Sequence, residues 1–312
     1  MNRALDNAKS PPVRQQFKGI VQLTRWKETV PFVVPLSVAG ALLAVNAAHS
    51  QVDWRLIAVM IANVLAVTYA FMINDIEDAP DDALDPERAQ RNPITTGLLN
   101  RRLGYNACLV TAVVTLALYA TGGWYVFIIG VITLLLSHLY SWKPVRLKAY
   151  PVTDVVSHSL MLSGLLMLAG YFIYHSAPGD VWLVAAGATM FSVYGQLYNQ
   201  VRDYDMDVAA GLKNTTILLG KTNTMRAIYT TVIIAISCIV VAILRGVFPF
   251  WLLLALLVAF GVGSLVNPSS DPRGKVVEGG GSKMQSRGLV MFNSFVAIWF
   301  AVTLVQQLLI AF

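Results

Sequence analysis

The chain has 312 residues, of which 56% are apolar and 13% charged, with a formal net charge of +6. A soluble domain carries about a quarter charged residues, so an ordinary soluble enzyme is excluded. The cations are explained by membrane topology, and the positive balance calls for no nucleic acid.

Residues 1–20 read as a polar tail with Pro11-Pro12, followed by a single membrane domain over 21–312. Gln22–Thr29 leads into the first apolar run, where Arg25 stands beside Trp26. Nine apolar segments then follow: Val30–Ala48, Leu56–Ile73, Leu103–Ala120, Trp124–Tyr140, Val155–Tyr174, Val181–Tyr198, Ile228–Leu244, Phe248–Val266 and Leu289–Phe312. A span needs about 20 apolar residues, and these runs are continuous rather than alternating, which argues against a β-barrel. The reading is an all-α integral membrane protein with nine transmembrane helices. The first run starts near residue 30 and is long enough to span, so no cleavable signal is expected. Cys108 and Cys238 fall within spans and read as packing residues, not a disulfide. The 267–288 stretch, rich in Gly, Ser and Lys, reads as a flexible linker without assigned function.

Placing the N-terminus in the cytoplasm puts 21 of the 23 Lys and Arg residues on the inside, leaving only Arg55 and Arg245 outside. That split follows the positive-inside rule. Two long loops, 74–102 and 199–226, hold ten of the seventeen acidic residues. Four spans separate them, so both are expected at the cytoplasmic face, and the pair suggests a duplicated four-helix unit.

Each loop opens with the same spacing. Asn74, Asp78 and Asp82 lie four residues apart, as do Asn199, Asp203 and Asp207. On a helix each trio shares one face. A solvated loop explains the charge but not the repeated spacing. Carboxylates at a membrane are costly and functional by default. Oxygen-only ligands suit Mg²⁺, which binds one or two carboxylates plus substrate phosphates. Pro80 interrupts the first trio, which leaves Asp81, Asp82 and Asp85 as alternatives, with Asp75 and Asp78 firmer. Asp205 is off the shared face and is expected to face solvent. Basic residues follow each cluster: Arg88 and Arg91, then Lys213 and Lys221. Lys143, Arg146 and Lys148 stand on the same face in the tract Tyr140–Lys148. Convergent cations and metal can stabilise a departing diphosphate, although each cation alone also serves as a topology marker. Asp154 and His158, four residues apart, are a possible acid–base pair or an intrabundle hydrogen bond. His138 is left open between a cavity and a neighbouring helix. Tyr69, Tyr194 and Tyr198 offer aromatic faces to a carbocation, or ordinary packing.

Asn74-Asp75-x-x-Asp78-x-x-x-Asp82 resembles the first signature of the UbiA superfamily of intramembrane prenyltransferases. Arg202-Asp203-x-x-x-Asp207-x-x-x-Gly211 resembles its second, and Tyr140-Ser141…Pro144…Arg146-Leu147-Lys148 is similar to the family's connection after the fourth helix. The resemblance covers roughly residues 20–310. It implies a helical bundle around a central cavity, capped by the two acidic loops and open laterally to lipid. It implies that Asp75, Asp78, Asp82, Asp203 and Asp207 hold Mg²⁺ on a polyprenyl diphosphate, with Asp75, Asp78, Asp203 and Asp207 essential to catalysis. Asn74 and Asn199 assist; Arg91, Lys143 and Lys148 contact phosphate; Arg25 stands near the acceptor or anchors the interface. Two departures are Pro80 within the first signature and Arg91-Asn92-Pro93 where Arg-Pro is common. The implied reaction transfers a prenyl group to a hydrophobic acceptor: an aromatic quinone precursor, a carotenoid or a lipid. A terpene cyclase using diphosphate alone is the alternative, and a cation carrier is a third reading. The expected setting is a bacterial or archaeal cell membrane, in contact with membrane lipid.

Overall fold

The computed structural model describes residues 12–209, 211–277 and 279–311. Residues 1–11, the greater part of the expected polar tail, lie outside the described residues. From Val13 the chain is already helical: α1 spans Val13–Leu23. It exposes Val13, Phe17 and Val21 while burying Leu23, a pattern suited to the membrane interface.

The remaining helices are α2 (Trp26–Ala48), α3 (Trp54–Asp82), α4 (Pro86–Arg91), α5 (Arg101–Thr121) and α6 (Trp124–Ser141). Then follow α7 (Thr153–Tyr171), α8 (Val181–Arg202), α9 (Tyr204–Ala209), α10 (Thr215–Leu244), α11 (Leu252–Leu265) and α12 (Gly279–Ala311). Each predicted apolar segment corresponds to one helix. Among the described residues seven helices are long and apolar enough to cross a membrane. α11 is shorter, and the end of α8 carries Gln196, Asn199, Gln200 and Arg202. The protein is an all-helical integral membrane protein.

Side chains fix several helix starts. Asp53 accepts from the Arg55 amide at the head of α3, Asn100 from Leu103 at α5, and Asn214 from Ile217 at α10; each satisfies an orphan N–H of the first turn. α10 is broken at Gly220, which takes φ 74° and ψ 158°, a conformation that favours glycine. α7 contains one π turn at Leu160–Gly164. The expected linker at 267–288 is half helix. α12 begins at Gly279, and its first turn approaches the Tyr198 side chain of α8 closely enough that a Cβ at Gly281 would clash with it.

In a bilayer, helix association rests on close packing and interhelical hydrogen bonds. α2 and α7 supply both. A Cβ at Gly40 would lie 2.0 Å from the Met167 carbonyl oxygen, and one at Gly170 would lie 2.2 Å from that of Ser37. Beside this crossing the fully buried Asn63 donates to Ser37 Oγ (2.7 Å) and the Leu166 carbonyl (3.0 Å), and accepts from Tyr119 Oη (2.6 Å). Four helices meet at one amide. Gly40→Leu must therefore push two backbones apart and should cost about 3 kcal/mol or more. Gly195→Ala, where no atom lies within 4 Å of the new Cβ, should be silent. Thermal unfolding of both variants in detergent checks the contrast; equal midpoints would refute the close crossing.

Candidate active site

Pro80 removes one N–H but does not end α3, which runs on to Asp82. Asn74, Asp78 and Asp82 therefore share a face at the end of the helix. Asp75 points elsewhere. Its buried carboxylate is gripped by Arg25, Nη2 to Oδ1 at 2.7 Å and Nε to Oδ2 at 3.1 Å. Arg25 sits between α1 and α2 in the left-handed region, φ 45°, with its guanidinium 5.4 Å from the Phe71 ring centre. It is the counter-ion of Asp75 rather than an interfacial anchor.

The α6–α7 connection supplies the cations for Asp78. Lys148 Nζ and Arg146 Nη2 (3.1 Å) both donate to it. Lys148 also donates to Asn74 Oδ1 at 2.8 Å, and Ser141 Oγ stands 3.1 Å from the same oxygen. Arg146 reaches Asp81 as well (2.7 Å), with Lys143 Nζ 3.8 Å from Asp81. Burial lowers the Lys148 ammonium pKa, against the raising pull of Asp78. Arg146 again has φ 45°. Among the described residues four non-glycine residues have positive φ, and two of them, Arg25 and Arg146, hold this cluster, the kind of local strain that collects at functional sites. Asp82 accepts from Asn92 Nδ2 at 2.8 Å, and the same amide donates to the Asp75 carbonyl at 2.7 Å. Arg91 is exposed, and its carbonyl accepts from Gln22. Asp85 is occupied as the cap of α4. Glu77 is buried among Tyr105, whose Oη donates to it at 2.7 Å, the Lys143 amide at 3.4 Å and Arg101 at 3.8 Å.

The second cluster straddles a helix boundary. Asn199 is on α8, Asp203 is its C-cap and Asp207 is on α9. Backbone bonds from Asp203 N to Asn199 O (3.0 Å) and from Asp207 N to Asp203 O (2.9 Å) keep the four-residue register across the break. Asp203 pairs with Arg202 at 3.0 Å. Asp207 accepts from Asn214 Nδ2 at 2.7 Å. Burial, then the neighbouring Asp203 charge, raise its carboxyl pKa. Asp205 is 85% exposed and pairs with Lys221, as its off-face position predicts.

Burial raises the carboxyl pKa of both Asp82 and Asp207, and the Arg88 charge acts against that rise at each. Among the described residues no three of His, Cys, Asp and Glu are drawn together at metal-binding spacing. The reason is visible in the pairing: Asp75, Asp78 and Asp203 are each turned onto a basic side chain. The donors are carboxylate and amide oxygens, which fit a hard divalent cation. Occupancy requires Arg146, Lys148 and Arg202 to yield carboxylate oxygens.

Asp154 and His158 do not pair. Asp154 is buried and accepts from Gln200 Nε2 (2.8 Å), the Thr215 amide (2.8 Å) and Thr215 Oγ1. Donors from α8 and α10 thus occupy the oxygens that His158 would need. His158 Nδ1 is buried with no partner among the described residues, its ring 6.0 Å from Tyr140. His138 meets a neighbouring helix, with Nδ1 2.9 Å from Tyr69 Oη. Tyr194 and Tyr198 stand with ring centres 6.4 Å apart. The sequence offered Arg146 only as one of several convergent cations and gave Asn92 no place in the site. Arg146 stood in the basic tract, but its left-handed backbone gave no sign. Asn92 was visible only as a departure from Arg-Pro.

The model of the UbiA prenyltransferase family matches residues 33–273. A solved UbiA homolog from Archaeoglobus fulgidus, bound to GPP and Mg²⁺, is 21% identical with a TM-score of 0.69, covering 91% of this chain and 99% of its own. The apo UbiA homolog from Aeropyrum pernix K1 is 18% identical with a TM-score of 0.66, covering 88% and 98%. A structure of digeranylgeranylglyceryl phosphate synthase is 17% identical with a TM-score of 0.64, covering 90% and 98%. No curated protein matches the chain.

Proposed function

This chain belongs to the UbiA prenyltransferase family, and from that premise we propose that it transfers a prenyl group from a polyprenyl diphosphate to a hydrophobic acceptor within the membrane. The observation that carries the reading is the repeated acidic register: Asn74, Asp78 and Asp82 at the end of α3, and Asn199, Asp203 and Asp207 held four residues apart from the end of α8 into α9 by backbone hydrogen bonds. The A. fulgidus homolog, which binds a prenyl diphosphate with Mg²⁺, supports the same chemistry on the same fold.

In this reading Asp78, Asp82, Asp203 and Asp207 hold Mg²⁺, with Asn74 and Asn199 beside them. When bound, Mg²⁺ neutralises the charge that builds on the departing diphosphate. Arg146 and Lys148, released from Asp78, turn to the phosphate oxygens, and Lys143 and Arg88 add positive charge at the rim. Asp75 keeps its place as the partner of Arg25 and fixes the head of α2 against α3. Arg91, exposed, meets the diphosphate only as part of the surrounding field. The allylic carbon, relieved of its leaving group, is captured by the acceptor. An aromatic, carotenoid or lipid acceptor suits the apolar bundle; the digeranylgeranylglyceryl phosphate synthase likeness is one of fold.

The test is a panel. Purified protein is incubated with Mg²⁺, allylic diphosphates of graded length and pooled acceptors, and products are identified by mass spectrometry. A prenylated acceptor is expected. A cyclised hydrocarbon from diphosphate alone would replace the proposal with the cyclase reading.

The acidic ends are proposed to face the cytoplasm, because 21 of 23 Lys and Arg lie on that side in this arrangement. Single cysteines near Gly122 and Pro178 should label from outside, and those near Asn100 and Gly211 from inside. Labelling of the two acidic loops from opposite sides would refute a common site.

Lys148→Ala should weaken diphosphate binding roughly tenfold or more, the worth of one charge-assisted hydrogen bond. Arg245→Ala should not, since Arg245 pairs with Asp180 at 3.2 Å, remote from both clusters in the chain. Titration of an uncleavable prenyl diphosphate separates the two.

A further inference from the structure

Between the last two helices lies an open-sided cavity of about 460 Å³ that the proposed chemistry does not use. Phe260 of α11 and Met284, Gly288 and Met291 of α12 line it, together with Lys283 and Arg287. The cavity is basic at one end and apolar along its walls.

The charges around it are unevenly balanced. The connection into α12 and its first turns carry Arg273, Lys275, Lys283 and Arg287. Arg273 is tied to Asp271 by Nε at 2.9 Å, and Lys275 pairs with Glu28 at 2.9 Å. Lys283 and Arg287, one helical turn apart, have no carboxylate partner among the described residues. Arg287 Nε instead donates to the Val266 carbonyl at 3.0 Å, which fixes the guanidinium over the end of α11. Two neighbouring cations have carboxylates, whereas the two that line the cavity present their charge beside an apolar wall with no carboxylate on them among the described residues.

We infer that this cavity between α11 and α12 binds the phosphate headgroup of an anionic membrane phospholipid, with Lys283 and Arg287 on the phosphate and Phe260, Met284 and Met291 along the acyl chains. Basic pockets between transmembrane helices suit such headgroups, and Met adapts to irregular chains. The site stands apart from the acidic clusters but touches them through packing. The first turn of α12 presses Gly281 onto Tyr198, the residue before Asn199. A lipid seated here braces the start of α12 and, through it, the end of α8.

The test uses the full-length protein in bilayer discs of mixed phosphatidylglycerol and phosphatidylcholine, with retained lipid counted by native mass spectrometry. The wild type should retain phosphatidylglycerol selectively. Lys283→Gln/Arg287→Gln should weaken that retention about 25-fold, at about fivefold for each basic side chain near an anionic surface. Arg273→Gln/Lys275→Gln should leave it unchanged. Gly288→Leu keeps both charges and fills the space, and no atom lies within 4 Å of its Cβ; it should also expel the lipid. Selective retention by the Lys283/Arg287 double variant equal to wild type would overturn the proposal, as would wild-type retention of phosphatidylcholine equal to phosphatidylglycerol. Readout by bound lipid keeps the result independent of whether prenyl transfer is the reaction.

Discussion

Asp78→Asn and Asp203→Asn should each lower Mg²⁺-dependent diphosphate release by at least about 10²–10³, the usual loss when one group stabilising a developing oxyanion is removed. Each change keeps the shape of the side chain and deletes one negative charge. A neutral amide is a poorer ligand for a hard cation. Both variants should fold, because neither carboxylate is part of the core: Asp78 touches Arg146 and Lys148, and Asp203 touches Arg202. Asp205→Asn is the control. It is 85% exposed and, among the described residues, pairs with Lys221, so it should keep most activity. Near-normal rates for Asp78→Asn or Asp203→Asn would remove that cluster from the chemistry.

Asp154→Ala should act through the fold instead. Four donors converge on this buried carboxylate, from Val155, Gln200 and, twice, Thr215. They tie α7 to α8 and α10. The same knot holds Val152 at φ 71° through a bond from its amide to Thr215 Oγ1 at 2.7 Å. Truncation leaves buried donors orphaned and should destabilise by about 3–5 kcal/mol, as for one partner removed from a buried charged network. Thermal unfolding should show the loss. A stable but inactive Asp154→Ala would instead return Asp154 to the reacting centre. His158→Gln has no such knot to break and should unfold near the wild-type midpoint.

How much of this was legible in the sequence depends on the kind of signal. Helix positions followed from uninterrupted apolar runs, because a chain in lipid must satisfy its backbone within each helix. The shared face of Asn74, Asp78 and Asp82 followed from spacing alone, since the helix carries its register through Pro80. Pairing was not legible. Nothing in the order of residues says that Arg25 crosses to Asp75 fifty positions away, or that Arg146 and Lys148 close on Asp78. Those contacts depend on left-handed residues in loops, where periodicity is silent. Asp154 and His158 show the same limit from the other side. Their four-residue spacing was real, but tertiary donors from α8 and α10 claimed the carboxylate. The start of α12 was not legible because Gly and Ser are poor helix signals, and the helix takes its place by packing on α11 and α2, which residue order does not reveal.

The central claim is that the ends of α3 and α8 form one site. It is tested most directly by a double-mutant cycle on Mg²⁺-dependent binding of an uncleavable prenyl thiodiphosphate, comparing wild type, Asp78→Asn, Asp203→Asn and the double variant. Residues that act on one bound group are strongly non-additive. The double variant should bind little worse than either single one. Losses that simply add, or a loss confined to one of the two positions, would contradict it.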